Sequence, residues 1–293
     1  MILRREHRVL VQGLTGKQGT FWAEKMMACG TNVVGGVNPN RAGIEHLGLP
    51  VFASARQAMN AIPFDVSLMF IPPAAAKDAA LDAIEAGAKQ LIVLTEHIPL
   101  QDVLVVHAAA RACGTRIVGP NTAGLVTPGE AFAGIMPGHN PSIFQPGRVG
   151  VISRSGSLGT LICLNLTREG LGQSAFLGIG GDPIVGTSTA HALEALDKDP
   201  KTGAVVIVGE IGGAMEEEAA AYAASMTKPV VAFIAGRSAP AGKKMGHAGA
   251  IVTGNRGTYQ CKRRTLEAAG VNVVDMPREI AGAVKAALAP KRA

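Results

Sequence analysis

The residue that most invites a chemical reading is a histidine with little side-chain cover. The segment GKKMGHAGAIVTG (242–254) sets His247 between Gly246 and the Ala248–Gly249 pair, so the imidazole projects from a thin stretch of backbone. One imidazole nitrogen can accept a phosphoryl group and pass it on if a carboxylate holds the other. Glu210 ends the apolar run AVVIVGE and is followed by Ile-Gly-Gly, which suits an orienting carboxylate; an acid at a helix start has the same appearance. His107 and His191 fall in helical stretches, and His7, His46 and His97 lie in or near loops. His139, in MPGHNP, is the secondary candidate.

Two loops have the composition of a phosphate cradle. GLTGKQGTF (13–21) spaces Gly13, Gly16 and Gly19 as G-x-x-G-x-x-G after a strand, and SRSGSLGT (153–160) brings Ser153, Ser155 and Ser157 around Gly156 at a helix start. Glycines let backbone approach an anion, and the first N–H groups of the following helix are unpaired. A tight strand-to-helix turn without a ligand would show the same spacing. No G-x-x-x-x-G-K-[ST] loop occurs in the chain, so a nucleoside triphosphate, if used, is expected to bind elsewhere.

The first loop does not fit a dinucleotide well. G-x-G-x-x-G is missing, and the second strand runs into VNPNRAG (37–43), with Asn38 and Arg41 where a ribose-binding acid would stand. A cation there favours a ligand with an extra phosphate, NADP or coenzyme A; a solvent-facing arginine is the plain alternative. FIPPAA (70–75) and TEHIP (95–99) add prolines and Glu96 at the same sheet edge, where the prolines are either a flat wall for a purine or simple helix punctuation.

The elements that position these loops read as parallel βαβ units. Strands are expected at 8–13, 32–37, 65–71, 90–95 and 115–119, then at 148–153, 173–179, 204–210, 229–235 and 271–275, with helical stretches between them. Two doubly wound α/β halves result, with ligands beyond the strand C-termini. The expected organisation is a first domain over 1–123, a Gly- and Pro-rich connection over 124–147 and a second domain over 148–293.

Composition agrees and excludes several classes. Of 293 residues, 47% are hydrophobic but only 4% aromatic, and Gly is abundant at 37, which suits helices packed closely on parallel sheets. Apolar runs are too short for a spanning helix, and MILRREHRVLVQG passes directly into a strand pattern, so the chain reads as cytoplasmic, without a membrane partner. A net charge of +6, scattered apart from Lys262–Arg263–Arg264, gives no nucleic-acid-binding face. The four cysteines have no metal-ligand spacing, and no metal site is expected.

Together the stretches QGLTGKQGTF, VVGGVNP, HLGLPVF, TEHIP, GVISRSGSLGT, GIGGDPI, GEIGG followed by EEEAAAY, KPVV and KKMGHAGAIV resemble the α subunit of succinyl-CoA synthetase and related acid–thiol ligases, malate–CoA ligase among them. The resemblance covers nearly the whole chain. It implies an N-terminal Rossmann-like CoA-binding domain, a C-terminal flavodoxin-like ligase domain, and a separate ATP-grasp β subunit that holds ATP or GTP with Mg2+. By position it implies phosphorylation of His247, orientation of the ring by Glu210, and steadying of the phosphoryl group by Ser155, Gly156 and Ser157. For coenzyme A it implies Thr15, Gly16, Lys17, Gln18 and Arg41 around the phosphates, with Phe70, Ile71, Pro72 and Glu96 around adenine and ribose.

The chain departs from the family in PNTAG (120–124), where the common pattern is Pro-Asn-Cys-Pro-Gly. Thr122 therefore replaces a cysteine near the expected thioester, and Asn121, Thr122 and His139 form an expected substrate vicinity. The small carboxylic acid itself, succinate, malate or similar, is not legible. An NADP-linked oxidoreductase and a non-catalytic CoA sensor are the competing readings.

Overall fold

A computed structural model describes residues 1–240, 245–252 and 256–289. Of the expected histidine loop, 242–244 and 253–254 lie outside the described residues.

Seven strands make the first sheet: β1 (Val9–Gln12), β2 (Val33–Val37), β3 (Glu45–His46), β4 (Leu49–Phe52), β5 (Val66–Met69), β6 (Gln90–Val93) and β7 (Arg116–Val118), in the order β3-β4-β2-β1-β5-β6-β7. All pairings are parallel except β3 with β4. Helices α1 (Lys17–Ala28), α2 (Ala55–Ala61), α3 (Pro73–Glu85) and α4 (Leu100–Cys113) connect them. The central strands are mostly apolar because helices cover the sheet. The one polar residue of β1, Gln12, is buried with its amide donating to Ser67 Oγ and the Ala79 carbonyl.

The second sheet contains β8 (Gly124–Thr127), β9 (Ala131–Gly134), β10 (Pro146–Ser153), β11 (Gln173–Gly178), β12 (Ala204–Glu210), β13 (Val230–Ala235) and β14 (Asn272–Val274), in the order β14-β13-β12-β10-β11-β8-β9. Its helices are α5 (Gly156–Arg168), α6 (Thr189–Asp197), α7 (Met215–Ala223), α8 (Tyr259–Ala268) and α9 (Ile280–Leu288). The chain is thus α/β with two mainly parallel sheets, and its main strands lie within a few residues of the sequence expectation.

The segment expected to be a connection contributes more than a link. Residues 124–134 form β8 and β9, which run antiparallel at the edge of the second sheet. Gly124 and Gly134 let these strands touch, since a Cβ on either would meet the backbone of the other strand. Thr31 Oγ1 donates to the Phe132 carbonyl and Thr127 Oγ1 to the Leu3 carbonyl, so this hairpin also ties the sheets together. Short strands framed by glycine carry no periodicity that would reveal them in the sequence, and β3 and β4, around HLGLPVF, escape detection for the same reason.

In each sheet the central strand has later strands on both sides, which makes a crevice at its C-terminal end. The loop after β1 lies between β2 and β5, and the loop after β10 between β11 and β12. Both glycine-rich loops therefore sit where an α/β sheet binds ligands.

Candidate functional site

The loop around His247 is folded back on itself. Gly246 takes a left-handed φ of 80°, Met245 N donates to the Ala250 carbonyl, and Gly249 N donates to the carbonyl of Gly181 in the loop after β11. This places the imidazole over Gly181 and beside the end of β12. His247 Nδ1 lies 2.8 Å from Glu210 Oε2 and 3.0 Å from Oε1. Glu210 is buried and the ring is half-buried. With Nδ1–H donating to the carboxylate, Nε2 carries the lone pair, and among the described residues nothing hydrogen-bonds to it.

Electrostatics reinforce that arrangement. The hydrogen bond to Glu210 raises the imidazole above its ordinary pKa of 6.5, against burial and the nearby Arg154 cation, with Asp182 adding to the rise. Arg154 Nη2 stands 3.3 Å from Glu210 Oε1. Arg154 directly precedes Ser155, so this contact joins the start of α5 to the histidine pair. Ser155 is the α5 N-cap, its hydroxyl accepting from Leu158 N; Gly156 opens the helix, and Ser157 is exposed beside it with its Oγ 3.4 Å from that of Ser155.

Gly181 gives the site its tightest steric requirement. A Cβ there would lie 2.5 Å from His247 Cγ and 2.7 Å from Nδ1. No left-handed backbone is involved, so Gly181→Ala acts only by pushing the ring away from Glu210. The expected outcome is a loss of about 10²-fold in any reaction at Nε2, since misplacement on the ångström scale has that effect. Rapid-quench kinetics and a melting curve will check it; a folded variant with an undiminished rate would show that the ring tolerates displacement.

The first sheet holds a cavity of about 520 Å3 beyond β1, walled in part by Gly16, Asn38, Phe70, Ile71 and Pro72. Gly13 has φ 82°, and a Cβ on Gly13 or Gly19 would collide with backbone. Gly16 caps α1 without a side-chain hydrogen bond, leaving the helix N-terminus open to an anion. Thr15 is held by a hydrogen bond from Asn38 Nδ2. Lys17 and Arg41 are exposed chain neighbours of the wall residues Gly16 and Asn40. A roomy cavity with an open helix start and adjacent cations suits a long phosphorylated ligand such as coenzyme A. Gln18, exposed and accepting from Trp22 Nε1, and Glu96, exposed beside His97, lie outside that wall.

The expected substrate vicinity divides. Asn121 donates to Asp182 Oδ1 at 3.0 Å, which sets it near the histidine loop. Thr122 is buried, its hydroxyl donating to the Gly178 carbonyl and accepting from Gly124 N, so that group is spent in joining β8 to β11. His139 is exposed and its ring lies 6.3 Å from that of Trp22 and 6.1 Å from Phe132, apart from the His247 contacts. Arg154, Gly181 and Asp182 escaped the sequence reading, although SRSGS and GIGGDPI contain them. No cluster of potential metal ligands occurs among the described residues, and no described helix is long and apolar enough to cross a membrane.

The comparisons with known proteins match both halves. Residues 4–97 match the family described as CoA binding domain, and residues 152–272 the family described as CoA-ligase. The chain is 46% identical over 288 residues to the succinate–CoA ligase [ADP-forming] subunit alpha of Methanothermobacter thermautotrophicus, covering 98% of this chain and 97% of that one. This chain is a member of the succinate–CoA ligase alpha-subunit family. The ADP-forming sulfoacetate–CoA ligase subunit of Bilophila wadsworthia is 44% identical over 290 residues, 98% of this chain and 99% of its own.

The fold of this CoA-ligase subunit also matches ATP citrate lyase from Methanothrix soehngenii, with a TM-score of 0.88 and 23% identity; the match covers all of this chain and 52% of that one. This chain therefore spans about half of that larger protein, and the likeness concerns the fold alone. The succinate–CoA ligase and sulfoacetate–CoA ligase relatives are both named as subunits, each one part of a larger enzyme.

Proposed function

We propose that this chain is the alpha subunit of a nucleoside-diphosphate-forming acid–thiol ligase and that His247 carries the phosphoryl group between nucleotide and acid. One observation carries the reading: Glu210 engages Nδ1 of His247 and leaves Nε2 open at the end of β12. The partner subunit would be an ATP-grasp protein holding ATP or GTP with Mg2+, which agrees with two anion cradles and no triphosphate loop in this chain. Its place in the cell would be the cytoplasm.

In the first step the Nε2 lone pair forms a bond to the terminal phosphorus while the bond from phosphorus to the bridging oxygen breaks, its electron pair leaving with the diphosphate. Glu210 keeps the Nδ1 proton and balances the charge that develops on the ring. Backbone N–H groups at the start of α5, with Ser155 and Ser157, would hold the phosphoryl oxygens. A carboxylate oxygen of the acid then bonds to phosphorus as the N–P bond breaks, returning the pair to Nε2. Coenzyme A, which the cradle beyond β1 would hold, supplies the thiol: its sulfur bonds to the acyl carbon as the bond from that carbon to the phosphate oxygen breaks, and the thiol proton leaves with the released phosphate.

Relatives of nearly equal identity are named for succinate and for sulfoacetate, each a small acid with a second anionic group. The proposed substrate is therefore an acid of that class, malate included. The CoA-ligase family membership does not favour an NADP-linked oxidoreductase. The test combines the chain with its co-purified partner, Mg2+ and labelled ATP or GTP. Acid-labile, base-stable phosphate on this chain is expected, discharged by CoA together with one acid from a panel of succinate, malate and sulfoacetate. CoA binding without any label would favour the sensor reading instead.

A further inference from the structure

Glu210 is the outer end of a buried chain of charges. Behind it, Arg154 Nη1 donates to the Gly212 carbonyl at 3.0 Å and lies 3.5 Å from Glu216 Oε1. The same Glu216 oxygen accepts from Glu210 N at 3.2 Å, so one carboxylate steadies both the backbone of Glu210 and the cation that touches its side chain. The second Glu216 oxygen is bonded by Lys262 Nζ, which also donates to Glu217 Oε2 and to the Gly213 carbonyl. Arg154, Glu216 and Lys262 are all buried. Burial alone would raise the Glu216 carboxyl, but Lys262 and Arg154 overcome it and hold the group below the ordinary range.

Stability does not account for this arrangement. Buried ion pairs bring little net stability over apolar residues of similar size, because desolvation consumes the Coulombic gain. Among the described residues Arg154 Nε is moreover buried without an acceptor, a cost that calls for an explanation other than stability. The network also spans the elements that make the site. Arg154 comes from the β10–α5 junction, Glu216 from the start of α7 beside the GEIGG loop, and Lys262 from α8, which follows the His247 loop in the chain.

We propose that Arg154, anchored from behind by Glu216 and Lys262, is a positioning residue for phosphoryl transfer: it holds Glu210 Oε1 so that the carboxylate stays aligned on Nδ1 of His247. This rests on the reading of His247 as the phosphoryl acceptor. Arg154 touches neither Nε2 nor, in that reading, the phosphoryl group; it acts through Glu210. Among the described residues, the charged groups that face the ring are Glu210 from β12, Asp182 from the loop after β11 and Arg154 itself. The bond to Glu210 is the largest influence on the ring and raises it, while Arg154 opposes protonation more weakly, so a loss of Arg154 that lets Glu210 swing away lets the ring give up its proton at lower pH.

The test measures the initial rate of phosphate incorporation into His247 in the complex with its partner subunit, from pH 6 to 9, for wild type, Arg154→Met, Arg154→Lys and Glu216→Gln. Arg154→Met is expected to slow labelling by about 10²-fold, the scale on which a misplaced reacting group suffers, and to move the acid limb of the profile downward as Glu210 loses its alignment on Nδ1. Arg154→Lys should recover part of the rate and bring the limb back toward wild type. Glu216→Gln, of the same shape, should show a smaller loss with a smaller downward movement, and it carries the test if Arg154→Met does not fold. A folded Arg154→Met or Glu216→Gln protein with the wild-type rate, or slowed with an acid limb that is unmoved or moved upward, overturns the proposal. Absence of label in wild type would instead defeat the reading of His247 and is thereby distinguished.

Discussion

His247→Asn is expected to abolish the acid-labile phosphate altogether and to lower turnover by on the order of 10⁴-fold or more, the scale seen when a covalent nucleophile is removed. The argument is chemical. A carboxamide nitrogen has no available lone pair to bond to phosphorus, and the described residues bring no second imidazole to Glu210. Coenzyme A binding should persist within a few-fold, because the cradle beyond β1 belongs to the other sheet. Glu210 would lose one partner but keep Arg154, so the variant should still fold. Phosphate label, steady-state turnover and CoA titration on the same preparation separate these effects. Label that survives in His247→Asn would move the acceptor to another residue.

Glu210→Gln is the second large effect, about 10⁴-fold on phosphoryl transfer, by analogy with removal of the carboxylate behind a catalytic imidazole. A carboxamide has one acceptor oxygen where the carboxylate serves both His247 and Arg154, so either the ring or the guanidinium is left facing an N–H. The pH profile gives an independent check. In wild type the bond to Glu210 raises the imidazole above 6.5, so the neutral ring, and the rate with it, is lost as pH falls through that raised value. Without the carboxylate the acid limb should move down even as the plateau falls.

Stability follows the same linkage in the opposite sense. A histidine raised on folding contributes stability that is fully present below its unfolded pKa and is lost as pH rises through the folded one. Wild type should therefore hold an advantage over Glu210→Gln near pH 6 that shrinks toward alkaline pH, measurable by denaturant titration. A Glu210→Gln protein with an unmoved acid limb would separate the carboxylate from the titration of His247.

Much of the site is legible in the chain because loop chemistry is local. A glycine-rich turn after an apolar run, or a histidine between glycines, can be read without knowing what packs against it, and both loops do lie at sheet switch points. Arg154 shows the opposite case. Between two serines in an anion cradle it reads as a surface cation, yet it is 4% exposed and points back to Glu210 and Glu216, because β12 runs beside β10. Thr122, placed by its motif in an expected substrate vicinity, has its hydroxyl engaged between the Gly178 carbonyl and Gly124 N. His139, singled out within a glycine- and proline-rich stretch, lies edge-on to Trp22 and tilted beside Phe132.

The sequence by itself determined the α/β class, both anion loops, and His247 and Glu210 as candidates, because these depend on strand-length apolar runs and on glycine at particular steps of the backbone. Only the tertiary structure decided that the two candidates, 37 residues apart, share a hydrogen bond. It also turned residues 124–134 into strands and buried a line of charge behind the pair. Strand adjacency and ion pairing depend on which segments meet across the sheet, and a single chain's local pattern does not encode that long-range choice.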